Sequence, residues 1–129
     1  SILANGVQLG GHVEIGIHVT IGGMTPVHQF CKIGDYSFIG GGYRIVQDVP
    51  PYILAMGEPL KFSGLNSMGL RRKNFSPDIR KQMKRAYQLI YLSDLNRSQA
   101  VSQIKKDFNS TPEIKHIVDF IENSNRGLV

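Results

Sequence analysis

A branched aliphatic residue recurs at every sixth position through the first third of the chain. Leu3, Leu9, Ile15, Ile21, Val27, Ile33, Ile39 and Ile45 fill all eight places. The residues that follow them are Ala4, Gly10, Gly16, Gly22, His28, Gly34, Gly40 and Val46, five of them glycine. Four residues after the aliphatics come Val7, Val13, Val19, Thr25, Cys31, Ser37 and Tyr43, mostly small. A period of six fits neither an α-helix nor simple alternation, so the segment is a repeat. One aliphatic in six points inward and stacks on its equivalent in the adjacent turn. The glycine serves a corner where the backbone bends or approaches another segment closely. The small residue fills the narrow interior beside the next corner, which places Cys31 inside.

The pattern stops at Asp48-Val49-Pro50-Pro51, where two prolines forbid another regular turn. Residues 52–74 read as an irregular crossing, with glycines at 57, 64 and 69. Three helices then follow. The first has Ser76 as N-cap and Pro77 at its first position, with Ile79, Met83, Ala86, Tyr87, Ile90 and Tyr91 as its apolar stripe. The second starts near Ser98 and offers Val101, Ile104 and Phe108. The third has Thr111 as cap and Pro112 next, then Ile114, Ile117, Val118 and Ile121.

The first segment resembles the hexapeptide-repeat acyl- and acetyltransferases. The resemblance implies a left-handed parallel β-helix in which three hexapeptides make one eighteen-residue coil. The expected organisation is therefore two parts, β-helix coils over 1–54 and an irregular crossing with a three-helix region over 55–129. Solenoid coils bury their core only by stacking, so more coils are expected before Ser1. An eighteen-residue coil places Gln29 over Gly11, Phe30 over His12 and His28 over Gly10. Gly11, His12, His28 and Gln29 then share one corner. His28 takes a slot where the repeat usually has glycine, which should push its ring outward. Spacing alone favours nothing more than a pair of surface histidines.

The words around these residues are more specific. Gly10-Gly11-His12-Val13, Ile21-Gly22-Gly23-Met24-Thr25, Val27-His28-Gln29-Phe30-Cys31-Lys32-Ile33-Gly34 and Gln47-Asp48-Val49-Pro50-Pro51-Tyr52 resemble one branch, the UDP-N-acetylglucosamine O-acyltransferases of lipid A biosynthesis. Gly69-Leu70-Arg71-Arg72-Lys73-Asn74-Phe75-Ser76 and Asn125-Arg126-Gly127-Leu128 continue it. The resemblance implies transfer of an (R)-3-hydroxyacyl group from acyl carrier protein to the 3-hydroxyl of UDP-GlcNAc. It implies no cofactor and no metal. The family's general base lies in an Ala-His-x-x-His-Asp segment that would precede Ser1, so the chain alone is expected to lack it and to be inactive. Gly11 matches a backbone N–H that stabilises the thioester oxyanion. His12 and Gln29 match residues holding the sugar and the acyl 3-hydroxyl, and His28 lies near the phosphates. Asn66, Arg72 and Lys73 match contacts to nucleotide or phosphopantetheine. Two positions depart from the pattern, Pro59 for a histidine and Met68 for an acidic residue, and Lys73 stands for a common arginine. Gly41 matches the position that limits acyl length. It lies outside the repeat's glycine slot, so corner geometry alone does not call for it. A glycine there implies a long chain of about fourteen carbons or more, each buried methylene contributing about 0.8 kcal/mol. A homotrimer with sites at subunit boundaries is implied as well.

Charge locates the macromolecular partner. The net charge of +5 is concentrated in residues 71–106, which hold ten basic residues and only Asp78 and Asp94 as acids. That stretch is the expected docking surface for acyl carrier protein, an acidic partner, with Arg72, Arg80, Lys81, Lys84 and Arg85 foremost. Nothing marks a nucleic-acid module. No apolar run approaches the roughly 20 residues needed to span a bilayer. A single cysteine and no leader-like start point to the cytoplasm. Two other readings of the same repeat remain open. One is another hexapeptide acyltransferase of the same pathway, and the other a non-catalytic scaffold that binds acyl carrier protein.

Overall fold

The computed structural model describes residues 1–108 and 111–129. Seven two-residue strands come first: β1 (Ile2–Leu3), β2 (Gln8–Leu9), β3 (Glu14–Ile15), β4 (Thr20–Ile21), β5 (Pro26–Val27), β6 (Lys32–Ile33) and β7 (Phe38–Ile39). They pair in parallel at a separation of eighteen residues: Leu3 with Ile21, Leu9 with Val27, Ile15 with Ile33 and Ile21 with Ile39. The six-residue period is thus one side of a three-sided coil. Ile21, Ile33, Ile39 and Ile45 are at most 2% exposed, and the small slot (Val19, Thr25, Cys31, Ser37) is wholly buried. Each enclosed aliphatic contributes about 1.5–3 kcal/mol relative to exposure.

The repeat glycine turns out to serve close approach rather than bending. A Cβ on Gly10 would stand 2.5 Å from the Gln29 nitrogen, and one on Gly16 would stand 2.8 Å from that of Asp35. The bend itself lies two residues later. His12, His18, Met24, Phe30, Tyr36 and Tyr52 all have positive φ. Each such residue in the upper coil donates its N–H to a carbonyl below, as Phe30 does to Gly11 O at 2.9 Å and Tyr36 to Ile17 O at 2.9 Å. A left-handed residue is unusual outside glycine and asparagine, and here a ladder bond supports it in every coil but the first.

The coil does not end at the prolines. Ile33 bridges Val49 and β7 pairs with β8 (Ile53–Met56), both at a separation of sixteen. Val27 still bridges Ile45 at eighteen. Residues 28–32 therefore lie beneath only 46–48, and the last turn is completed with two residues fewer. Pro50 and Pro51 are buried within it. Neither donates an N–H, so they sit in a part of the turn that needs none.

The expected irregular crossing is also regular. β8 turns into an antiparallel strand β9 (Lys61–Leu65), which closes the sheet in the order β1-β4-β7-β8-β9. A short helix α1 (Ser67–Arg72) follows. The division at 54/55 falls inside β8, and there are four helices among the described residues rather than three. α2 (Pro77–Tyr91) and α4 (Pro112–Glu122) carry the expected Ser76 and Thr111 caps. α3 (Arg97–Asp107) begins at Asn96, which makes a capping box with Gln99. α2 packs on β9 and on both later helices. The buried Tyr87 donates its hydroxyl to Pro51 O at 2.6 Å, tying α2 to the shortened coil.

Two outcomes follow from this packing. Gly10→Ala should destabilise the full-length protein by about 1–3 kcal/mol in urea denaturation, since the clash is with backbone. Gly11→Ala, whose Cβ would meet nothing within 4 Å, should be near neutral. An equal loss at both sites would refute the close-approach account. Burial also raises the phenols of Tyr52, Tyr87 and Tyr91 above their usual value, with neighbouring charges secondary. A raised acid is held protonated in the folded state while the unfolded phenol ionises from about pH 10. This stability is therefore complete below about pH 10 and lost as pH rises past it. The urea midpoint should fall steeply above that pH, and Tyr87→Phe should flatten the fall.

Candidate functional site

Register builds the principal corner. Gly11 and His12 end one coil face, and Gln29 and Phe30 lie directly above them. The His12 and Phe30 rings stack with centroids 5.0 Å apart and 3° between planes, which is close to the rise of about 4.8 Å between paired strands. Gly11, His12, His28 and Gln29 are all exposed. Gly11 is open in front and accepts from Phe30 through its carbonyl, leaving its N–H without an acceptor among the described residues. His28 donates its N–H to Ile45 O at 2.9 Å. It occupies a glycine slot beneath the shortened coil, where residues 28–32 lie under only 46–48. All four residues expected at this corner are therefore brought together.

Asn66, Arg72 and Lys73 are not among them. They line a groove of about 880 Å³ beside a different corner, with His18, Tyr36 and Phe38. Asn66 is half-buried and its side chain bonds at both its nitrogen and its oxygen. Its Nδ2 donates to Tyr36 O at 2.9 Å, and its Oδ1 accepts from the Gly69 N–H at 3.3 Å as the cap of α1. It sets where α1 stands. Arg72 is exposed and rests on Met68 Sδ at 3.6 Å, the position where an acidic residue was expected. With no carboxylate at 68, the guanidinium makes no ion pair among the described residues. His18, Tyr36 and Tyr52 form a stacked column at this corner, with centroids 5.0 Å and 5.9 Å apart.

Gly41 occupies the third corner. A side chain there is more constrained than its sequence position implies. Its Cβ would stand 3.0 Å from Gly23 O and 3.2 Å from Gly23 N, with Gly22 C at 3.5 Å. Packing is thus a second reason for glycine at 41. Within one chain the expected residues occupy three separate corners.

The basic stretch is also divided. Arg80 is half-buried with its Nε donating to Phe75 O at 3.2 Å, which corrects its expected exposure. Arg97 donates to Ile121 O, and Lys105 pairs with Glu122 at 3.2 Å. Arg71, Arg72, Lys73, Lys81, Lys84, Arg85 and Lys106 are exposed and make no ion pair among the described residues. Cys31 is buried in the coil, where desolvation pushes its thiol up despite the opposing charge of Arg126. It is packed as an interior residue.

Two arrangements escaped sequence reasoning. His116 on α4 lies 3.1 Å from Asp35, whose other oxygen accepts from the Ile17 N–H at 2.8 Å. The two side chains meet where α4 lies against the coil. Asp48, 1% exposed, accepts from Lys32 N and from two residues of the C-terminal segment. Its place in the Gln47–Tyr52 word was visible, but Ser124 and Arg126 lie 76 and 78 residues away. Among the described residues, no group of three or more His, Cys, Asp or Glu side chains could hold a metal ion. Nor is any described helix long and apolar enough to cross a membrane.

Comparison with known proteins agrees with this geometry. Residues 48–129 match the family model described as UDP-N-acetylglucosamine O-acyltransferase, domain 2. A curated relative from Burkholderia mallei, acyl-[acyl-carrier-protein]–UDP-N-acetylglucosamine O-acyltransferase, is 39% identical over 99% of this chain and 50% of its own length. Among solved structures, UDP-N-acetylglucosamine O-acyltransferase (LpxA) from Moraxella catarrhalis superimposes with a TM-score of 0.93 at 48% identity, over 98% of this chain and 49% of that one. LpxA from Acinetobacter baumannii gives 0.95 at 46%, over 99% and 50%. The chain spans about half the length of the curated relatives it matches. A coil of stacked hexapeptides, a helical region that matches the family model and superposition on two solved members together show that this chain belongs to the UDP-N-acetylglucosamine O-acyltransferase family.

Proposed function

We propose that the chain is the C-terminal part of an enzyme that moves an (R)-3-hydroxyacyl group from acyl carrier protein to the 3-hydroxyl of UDP-GlcNAc. The observation that carries the reading is the exposed corner where register stacks Gln29 and Phe30 on Gly11 and His12. The free Gly11 N–H is placed to donate to a developing oxyanion. His12 and Gln29 offer hydrogen bonds to the sugar and the acyl hydroxyl, and His28 to the phosphates. The coil winds left-handed, as the resemblance implies, and the boundary between coil and helical region lies in the β8–β9 hairpin. Leu3 and Leu9 occupy interior slots yet are 43% and 47% exposed, a surface suited to a preceding coil. The general base belongs to that preceding part, and the whole enzyme works in the cytoplasm.

The separation of the expected residues over three corners supports a homotrimer. One chain's His28 corner would face a second chain's groove, where Arg72 and Lys73 meet the nucleotide or the phosphopantetheine. Asn66 contributes by fixing α1. Gly41 would bound the acyl chain, its missing side chain leaving the channel open. The exposed cations of α1 and α2 (Arg71, Arg72, Lys73, Lys81, Lys84 and Arg85) would receive the acidic carrier.

The direct test is product formation by the full-length protein from acyl carrier protein thioesters and UDP-GlcNAc. Turnover should be fastest with chains of about fourteen carbons or more, and Gly41→Met should shift the preference to roughly ten, since each excluded methylene removes about 0.8 kcal/mol. Absence of 3-O-acylated product overturns the reading. An unchanged chain preference in Gly41→Met removes Gly41 from it.

Arg72→Glu with Arg85→Glu should raise KM for the carrier substrate about tenfold or more, with the difference shrinking as salt is added. Unchanged KM, or a loss insensitive to salt, would show that the basic face is only solvated.

A further inference from the structure

The coil over His28 and Gln29 is the one that lacks two residues, and the chain's own C-terminal segment closes the opening. Asp48 donates its N–H to Gly127 O at 2.8 Å, and Val129 donates to Asp48 O at 3.0 Å, so the segment adds a parallel bridge at Leu128. The buried carboxylate of Asp48 completes the tie. Its Oδ1 accepts from the Lys32 N–H at 2.8 Å, standing in for the carbonyl that the shortened turn cannot supply. Its Oδ2 accepts from Ser124 Oγ at 2.5 Å and from the Arg126 N–H at 3.4 Å. A buried charge is tolerated where hydrogen bonds meet it in this way.

The Arg126 side chain does something separate. Its guanidinium turns back over the opening and donates to Val46 O at 3.2 Å. Val46 is the next residue after His28 in the repeat's column 10-28-46, and Ile45 beside it accepts the His28 N–H. Val46 and Gln47 are exposed, and among the described residues neither makes a backbone ladder bond of its own to the coil below. Ile45 and Asp48 are held on either side by backbone bonds, and between them the guanidinium reaches one carbonyl of this roof, Val46 O. Asp48 would hold the tail in place without it.

We propose that Arg126 is a positioning residue of the sugar-nucleotide corner, acting through the Val46 carbonyl to hold the roof over His28 and Gln29, with Asp48 anchoring the tail that carries it. The proposal rests on that corner being the nucleotide site. Arg126 itself touches no substrate. Its part is to keep His28 in a slot that the repeat normally reserves for glycine.

The test uses the full-length protein labelled with ¹³C at histidine Cε1, comparing wild type, Arg126→Ala and Arg126→Lys, with His28→Ala for assignment and as a binding control. Arg126→Ala should leave the thermal midpoint and the His116 signal unchanged while shifting or broadening the His28 signal. KM for UDP-GlcNAc should rise roughly tenfold with kcat little changed, the pattern of lost ground-state binding. Arg126→Lys, still able to donate to Val46 O, should recover most of both effects. An unmoved His28 signal in Arg126→Ala overturns the proposal, as does an unmoved KM when His28→Ala weakens nucleotide binding. So does a lowered thermal midpoint with all histidine signals altered alike, which would make the tail structural only. If His28→Ala leaves UDP-GlcNAc affinity intact, the site reading fails by itself, and the His28 signal alone then decides whether Arg126 positions the corner.

Discussion

Each coil rests its backbone directly on the corner of the coil beneath, and most features of this chain trace to that contact. Where the upper chain crosses, there is no room for a Cβ below, so Gly10, Gly16, Gly22 and Gly34 have no side chain. Two residues later the chain must turn, and it does so through left-handed residues whose N–H groups reach down to the lower coil. Side chains at that position are thereby stacked eighteen residues apart, which produces the His12–Phe30 pair and the His18–Tyr36–Tyr52 column. The aliphatic ladder inside is the same repetition seen from the core.

The corner of His28 and Gln29, the proposed site, lies where the register of this contact changes. Over residues 28–32 the upper coil is short by two. A histidine stands here in the column position that Gly10 holds one coil below, where a Cβ would clash with Gln29. The change of register has a cost, because the Lys32 N–H loses its ladder acceptor. The Asp48 carboxylate supplies a replacement and requires further donors of its own, which Ser124 and Arg126 provide. A turn shorter by two residues thus sets where the C-terminal segment docks.

Single-chain geometry also explains why the expected residues do not form one pocket. The coil has three corners, and the quartet at Gly11, the groove at Asn66 and the small position at Gly41 each use a different one. A three-sided solenoid presents all three outward, so residues from separate corners can meet only across copies. Asn66 illustrates a further distinction. Its amide is occupied by Tyr36 O and the Gly69 N–H, so its contribution is to aim α1 and with it Arg72 and Lys73.

Periodicity and wording alone identified the repeat, its eighteen-residue stacking, the interior place of Cys31, the Ser76 and Thr111 caps and the corner shared by Gly11, His12, His28 and Gln29. These are local consequences of a repeat whose spatial neighbours lie at a fixed separation, so the sequence index itself encodes the contact. The strands after Pro51, the helix at Ser67, the burial of Arg80 and the ties of Asp48 and His116 were not legible in that way. Each depends on partners at irregular separations, from Phe75 beside Arg80 to Ser124 seventy-six residues beyond Asp48. Such contacts follow from where the last coil closes and how the helices pack against it. That closure shifts from eighteen residues to sixteen within a single turn. No period announces the shift, because it is set by which buried groups can find hydrogen-bond partners once the chain is folded.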